Sequence, residues 1–141
     1  MSQKKVISAC FILLLLLGGR SVYAGCTISP VNIANLQGAA DSNADISTCN
    51  VSSITNMNAL FRNKTNLNQD LSAWDVSNVT TMADMFFGAT SFNNGGAAMG
   101  WTTTDLTTME TMFQGATSFN QDISSWDVDQ VTTLNKTFRG A

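Results

Sequence analysis

Carboxylates recur along this chain at fixed intervals, and they are the first groups that could do chemistry. Asp45, Asp70 and Asp122 share one register, and Asp75 and Asp127 share another. Stacked carboxylates suit calcium, which takes six to eight oxygen ligands. A pair at a set separation suits glycoside hydrolysis. Both files are interrupted, at Ala97 and Thr102, so neither forms an unbroken ladder. The acids recur because the surrounding unit recurs, whereas a catalytic pair should break the repeat. Turn capping by Asp is therefore the role expected of them. Glu110, the single glutamate, sits three residues after Thr107, the spacing of a capping box. Histidine is absent from the chain, which removes the usual general base near neutral pH and the commonest metal ligand. Serine–histidine and cysteine–histidine catalysis and ordinary zinc sites go with it. The expectation is a non-enzymatic protein with no catalytic residue, no cofactor and no metal site.

Three cysteines occur, at positions 10, 26 and 49. Lys4 and Lys5 precede an unbroken apolar run from Val6 to Leu17, then Gly18 and Gly19, then Val22-Tyr23-Ala24. That order reads as a signal peptide over residues 1–24, cut after Ala24. Its apolar core is shorter than the ~20 residues a spanning helix needs. Cys10 leaves with the signal, and Cys26 and Cys49 form an even pair in an oxidising compartment, which points to one disulfide. The rival reading is a lipid anchor at Cys26, because Tyr23-Ala24-Gly25-Cys26 resembles a bacterial lipobox. Spacing does not choose between them. The chain after Ala24 keeps four basic residues (Arg62, Lys64, Lys136, Arg139) against ten acidic ones, a net charge of −6. Without a Lys and Arg field, nucleic acid is excluded as a partner, and so is adhesion to anionic lipid.

These residues are positioned by an internal repeat of about 25 residues. Residues 68–92 read NQDLSAWDVSNVTTMADMFFGATSF, and residues 120–141 read NQDISSWDVDQVTTLNKTFRGA. Residues 93–119 keep the pattern with two extra positions in a glycine-rich stretch, and residues 43–67 are a weaker copy with Cys49 in the tryptophan position. Residues 25–42 are expected to form an N-terminal cap with a half copy, Leu36-Gln37-Gly38-Ala39. Leu71, Trp74 and Val76 follow L-x-x-L-x-L spacing, with alternation suited to a short half-buried strand. Val79, Met82, Met85 and Phe86 fall on one face of a two-turn helix, and Gly88 suits its left-handed end. A lone unit of this kind cannot bury its apolar face, so copies must stack. Trp74, Trp101 and Trp126, with Met82, Met109, Phe86, Phe113 and Phe138, then become core columns. Asn43, Asn68, Asn93 and Asn120 form a further column, read as amides bonding neighbouring turns. Four Asn-x-Ser/Thr matches, beginning at Asn50, Asn63, Asn78 and Asn135, follow from so Asn- and Thr-rich a repeat.

The stretch F-N-Q-D-I-S-x-W-D-V-S-x-V-T-x-M-x-x-M-F-x-G-A, nearly complete at Phe119 to Ala141 and again at Leu67 to Ala89, resembles the BspA-like leucine-rich-repeat surface proteins, the bacterial surface protein 26-residue repeat. The likeness covers residues 43–141 and departs at Asn94-Gly95-Gly96-Ala97 and at Cys49. It implies a secreted or cell-surface location, adhesion and protein binding, and no shared catalytic residue. The expected fold is an α/β repeat solenoid, right-handed and leucine-rich-repeat-like, of about four coils with one short strand plus one short helix or turn each. Its expected partner is an extracellular protein or glycan, with a structural or self-assembling role as the alternative. The last unit lacks the closing Thr-Ser-Phe of its predecessors, so its apolar side chains are expected at an open edge that frays or pairs two chains end to end.

Overall fold

In the computed structural model, Cys26 and residues 32–141 are described; the expected signal over residues 1–24, and with it the cleavage site, lies outside them. One α-helix is present among these residues, α1 (Ile33–Asp41). Asn32 opens it with an extended backbone and a side-chain oxygen that accepts from the Asn35 N–H, the usual way of satisfying a free donor in the first turn. Ser42 closes it, with its N–H bonded to the Gly38 carbonyl at 3.1 Å and its hydroxyl donating to the Ala39 carbonyl at 3.0 Å. Leu36 is the buried residue of the helix.

Four tiers follow, over residues 43–67, 68–92, 93–119 and 120–141. They overturn the expected α/β repeat solenoid, leucine-rich-repeat-like, with one short strand plus one short helix or turn in each coil. Among the described residues there is no strand, only isolated parallel bridges joining Asn56, Thr81, Thr108 and Thr133 in sequence, and no tier contains an α-helix. The destination of the backbone N–H groups explains the difference. In tier 2 the N–H groups of Trp74, Val79, Met85, Phe87, Ala89 and Phe92 each bond to the carbonyl three residues back, so the tier is a chain of tight turns. Between these, the N–H groups of Met82, Asp84, Phe86 and Gly88 leave the tier and bond to the carbonyls of Thr108, Glu110, Met112 and Gln114 at 2.8–3.0 Å. A helix would need those donors for its own carbonyls four residues back. The i, i+3 spacing of Val79, Met82 and Met85 is real, but it marks a turn that repeats every three residues.

Left-handed residues enforce this path. Ala59, Asp84, Thr111 and Lys136 stand at φ of 52–58°, and four positions on in each tier stand Asn63, Gly88, Gly115 and Gly140 at 59–74°. Two such residues per tier prevent any continuous right-handed helix. At Gly88 a Cβ would also lie 2.5 Å from the Asn63 side-chain oxygen, so a larger residue there would have to displace that amide.

The columns close into a single core running from Leu36 to Trp126. Phe86 stacks on Phe61 and Phe113 with ring centres 5.6 and 5.4 Å apart, and Trp101 on Trp126 at 5.7 Å. Each tryptophan also ties two tiers together. The Nε1–H groups of Trp74, Trp101 and Trp126 donate to the carbonyls of Ile46, Leu71 and Met99 at 2.7–2.9 Å. A buried indole without such an acceptor would carry an unmet donor.

Candidate binding surfaces

The recurring acids are spent on turns. Asp75 Oδ1 accepts from the Ser77 hydroxyl at 2.7 Å and its N–H at 3.1 Å, and Asp45 does the same with Ser47. Asp70, Asp122 and Asp127 accept from the N–H two residues on. The Ser77 hydroxyl, then its N–H, holds the Asp75 carboxyl below the usual range, and Ser47 acts likewise on Asp45. For Asp122 the Ser124 N–H leads. These shifts favour the charged form, opposite in sense to a carboxyl tuned as a general acid. Asp41 and Asp84 pair with Lys64 and Arg62. Glu110 accepts from the Asn135 amide at 2.9 Å. No helix follows Thr107, so the capping box expected of Thr107 and Glu110 is not formed. The Thr107 hydroxyl donates instead to the Thr80 carbonyl at 2.8 Å. Among the described residues no three His, Cys, Asp or Glu side chains gather where they could hold a metal ion.

Cys26 and Cys49 are joined as a disulfide, with Cα atoms 4.7 Å apart, and the Cys26 N–H donates to the Thr48 hydroxyl. Trp74, Trp101, Trp126, Met82, Met109, Phe86 and Phe113 are buried. Phe138 departs from the expected core column. It stacks on Phe113 at 5.6 Å, yet 47% of it stays exposed, because among the described residues no further tier covers it. The asparagine column bonds as expected at two levels: Asn68 Oδ1 accepts from the N–H groups of Asn93 and Gly95, and Asn93 Oδ1 from that of Asn120.

Several working residues are invisible in the repeat pattern. Gln69 bridges the Ile46 N–H and the Ala44 carbonyl of the tier below. In tier 3 the fully buried Asn94 takes over that duty, accepting from the Leu71 N–H at 2.7 Å. This is how the two extra residues are absorbed. Thr103 and Thr137 are buried, with hydroxyls donating to the Asp127 and Met109 carbonyls. The extra length of tier 3 was the only signal for Asn94; the two threonines gave none.

Two surfaces remain. The first is a polar face built on threonines. Thr80, Thr107 and Thr132 each send both N–H and hydroxyl to the threonine carbonyl of the preceding tier, at Thr55, Thr80 and Thr107. With the hydroxyl proton committed, what each exposed threonine offers outward is lone pairs and a methyl group. A shallow groove of about 490 Å³ crosses this face, lined by Thr80, Thr104, Asp105, Thr107 and Gln130. Such a surface can accept hydrogen bonds from hydroxyl or amide donors. The second is the outer face of tier 4. Val128, Leu134 and Phe138 are the exposed large hydrophobics of the described residues, at 44, 53 and 47%.

A stack of tandem turn-built tiers tied by side-chain amides and one disulfide defines the chain as a repeat protein. A family model matches residues 32–141, and the chain belongs to that family, described as Mycoplasma protein of unknown function, DUF285. No curated protein and no solved structure matches it. Among the described residues no helix is long and apolar enough to cross a membrane.

Proposed function

We propose that this chain is a non-enzymatic binding module, exported to the cell surface or medium, whose threonine face engages an extracellular protein or glycan through neutral donor groups. The observation that carries the reading is that face and its groove: hydroxyl protons are already committed to the backbone, so acceptors are presented in a fixed array at no further ordering cost. The uses found for the acids support a non-catalytic role, since Asp45, Asp70, Asp75, Asp122 and Asp127 all serve turns and Asp41 and Asp84 serve ion pairs. Occurrence of the family in BspA-like surface repeat proteins supports the location, as does a disulfide, which persists in oxidising compartments. A sulfur held in that bond has no valence left for a lipid, so the Cys26–Cys49 geometry supports the disulfide over the anchor.

The test is binding of the purified chain to defined glycans and purified extracellular proteins, with Thr107→Arg as the groove-blocking variant. Saturable binding that the variant loses supports the module. Binding unaffected by Thr107→Arg would remove the groove from the account. Absence of any binding, together with concentration-dependent assembly of the chain alone, would favour the structural role instead.

A further inference from the structure

Asn94 ties tier 3 to tier 2 as Gln69 ties tier 2 to tier 1, yet the two amides have different neighbours. Gln69 is followed by Asp70, and Asn94 by Gly95, in the single Asn-Gly pair of the chain. An asparagine side chain can close a five-membered ring onto the next backbone nitrogen, whereas a glutamine would need a more slowly formed six-membered one. Glycine leaves that nitrogen unscreened by any Cβ. Gly95 stands at φ of 60°, and a Cβ there would crowd the Asp70 backbone nitrogen at 3.1 Å. The close approach of the tiers thus keeps glycine at the place that makes the asparagine labile. The closed fold holds every group of this ring closure apart. Asn94 is fully buried. Its Oδ1 accepts from the Leu71 N–H at 2.7 Å, and its Nδ2 donates to the Ala97 and Ala98 carbonyls at 2.9 and 3.4 Å. The Gly95 N–H donates to Asn68 Oδ1 at 3.0 Å.

We propose that Asn94–Gly95 is a self-modification site, silent while tier 3 is closed on tier 2 and active when that contact opens locally. The Gly95 nitrogen attacks Asn94 Cγ and forms a new C–N bond. The Cγ–Nδ2 bond breaks, and Nδ2 leaves as ammonia with the proton that Gly95 gives up. One water then opens the resulting succinimide at either of its carbonyls. The product is aspartate or, with the main chain rerouted through the side chain, isoaspartate; nothing is oxidised or reduced. Neither product fits the old place. The new carboxylate would set an oxygen against the Ala97 and Ala98 carbonyls, acceptor against acceptor, in a site that buries its charge. Isoaspartate also adds a methylene to the backbone path and shifts tier 3 against tier 2. Modification therefore turns a reversible opening into a permanent one, at this one level of the stack. The inference goes beyond the proposed threonine-face module and does not depend on it.

The purified chain is held at mildly alkaline pH, with and without urea below its unfolding transition, and peptide mass spectrometry follows amide loss at each asparagine. Conversion should concentrate at Asn94, release ammonia in step, and run about tenfold or more slower without urea. Asn68→Ala frees the Gly95 N–H and should speed conversion without urea by about tenfold, while amide exchange in tier 1 stays at its wild-type rate. Asn94→Asp stands in for the product. In it, exchange at the Leu71 amide and at the Trp101 indole N–H, which donates to the Leu71 carbonyl, should quicken by about tenfold or more. The proposal is overturned if Asn94 stays intact in urea, converts as fast without it, or is outpaced by another asparagine. It is also overturned if Asn68→Ala leaves the rate unchanged, or if Asn94→Asp keeps wild-type protection at Leu71.

Discussion

The two ends of the stack carry the same column and treat it in opposite ways. Leu36, in α1, stands in register with Phe61, Phe86 and Phe113 and is fully buried. Phe138, at the other end of that register, is about half exposed. The helix is the reason. Beyond its first turn α1 spends its N–H groups on its own carbonyls, so it lays an apolar residue on tier 1 without presenting a donor row of its own. Gln37 reaches the Ala59 carbonyl, Lys64 pairs with Asp41 at the helix end, and the Cys26–Cys49 bond closes the chain around the whole segment. Tier 4 keeps the open-turn form, and the N–H groups of Leu134, Lys136, Phe138 and Gly140 have no partner among the described residues. A helix thus covers one face of a tier without offering donors beyond it, whereas a turn-built tier offers donors to the next.

If that contrast is right, truncating the same column should hurt very differently at its two ends. Leu36→Ala should cost about 2–5 kcal/mol, the range for a fully buried leucine. Phe138→Ala should cost only ~1 kcal/mol, since roughly half of its ring is already wet. Denaturant melts of the two variants decide it, and equal losses would break the comparison. The disulfide comes next. Replacing both Cys26 and Cys49 with serine should cost about 3 kcal/mol on the chain-entropy account of such a loop. Amide exchange should then quicken first in α1 and leave tier 4 unchanged; fastest loosening in tier 4 would detach the bond from any capping role.

Much of this was legible before any coordinates. The repeat length and the Trp, Met and Phe columns follow from residue type and spacing, whereas spacing left the disulfide of Cys26 and Cys49 open against a lipid anchor at Cys26. The local conformation was not. A spacing of three and four residues is shared by a helix face and by successive turns, and it says nothing about where the intervening N–H groups go. Asp84, Thr111 and Lys136 carry the left-handed backbone without the glycine that would have announced it. The one true helix lies in the most degenerate copy, where Ile33, Leu36, Ala39 and Ala40 no longer match the repeat closely. The candidate surfaces were half visible: the apolar register of tier 4 could be read from the repeat, but the bonding of backbone groups between tiers could not.

The left-handed column gives a sharper and smaller test. Ala59 and Lys136 hold equivalent positions in the two end tiers, at φ of 55° each, a conformation that costs an ordinary L-residue about 1–2 kcal/mol. Glycine relieves that strain but gains freedom in the unfolded chain, so Ala59→Gly should raise stability by a net ~0.5–1 kcal/mol. Lys136→Gly should register less in a global melt, because a tier that opens locally contributes little to global unfolding. A loss of stability at Ala59 would show that its side chain, and not the turn, decides that position.

The smallest expected effect concerns acid. Asp45 in tier 1 and Asp122 in tier 4 make the same kind of turn, and the Ser47 hydroxyl and the Ser124 N–H respectively lead in lowering their carboxyls from 3.8. A carboxyl depressed in the folded state lends stability that is complete above its unfolded value and drains away as pH falls through the lowered folded one. Both turns should therefore weaken only below about pH 4. Their consequences should differ, since among the described residues tier 1 is covered by α1 and the outer side of tier 4 is not covered. On acidification, exchange at the Ser124 amide, corrected for its intrinsic rate, should quicken before the global transition, while Ser47 follows that transition. Asp122→Asn supplies the control. Asn50 already makes this turn with an amide oxygen, accepting from Ser52, so the variant should keep the turn and lose its acid sensitivity. Simultaneous loosening of Ser47 and Ser124 would mean that the ends are equally secure. Early loosening of Ser124 that persists in Asp122→Asn would place the acid response elsewhere than in this carboxylate.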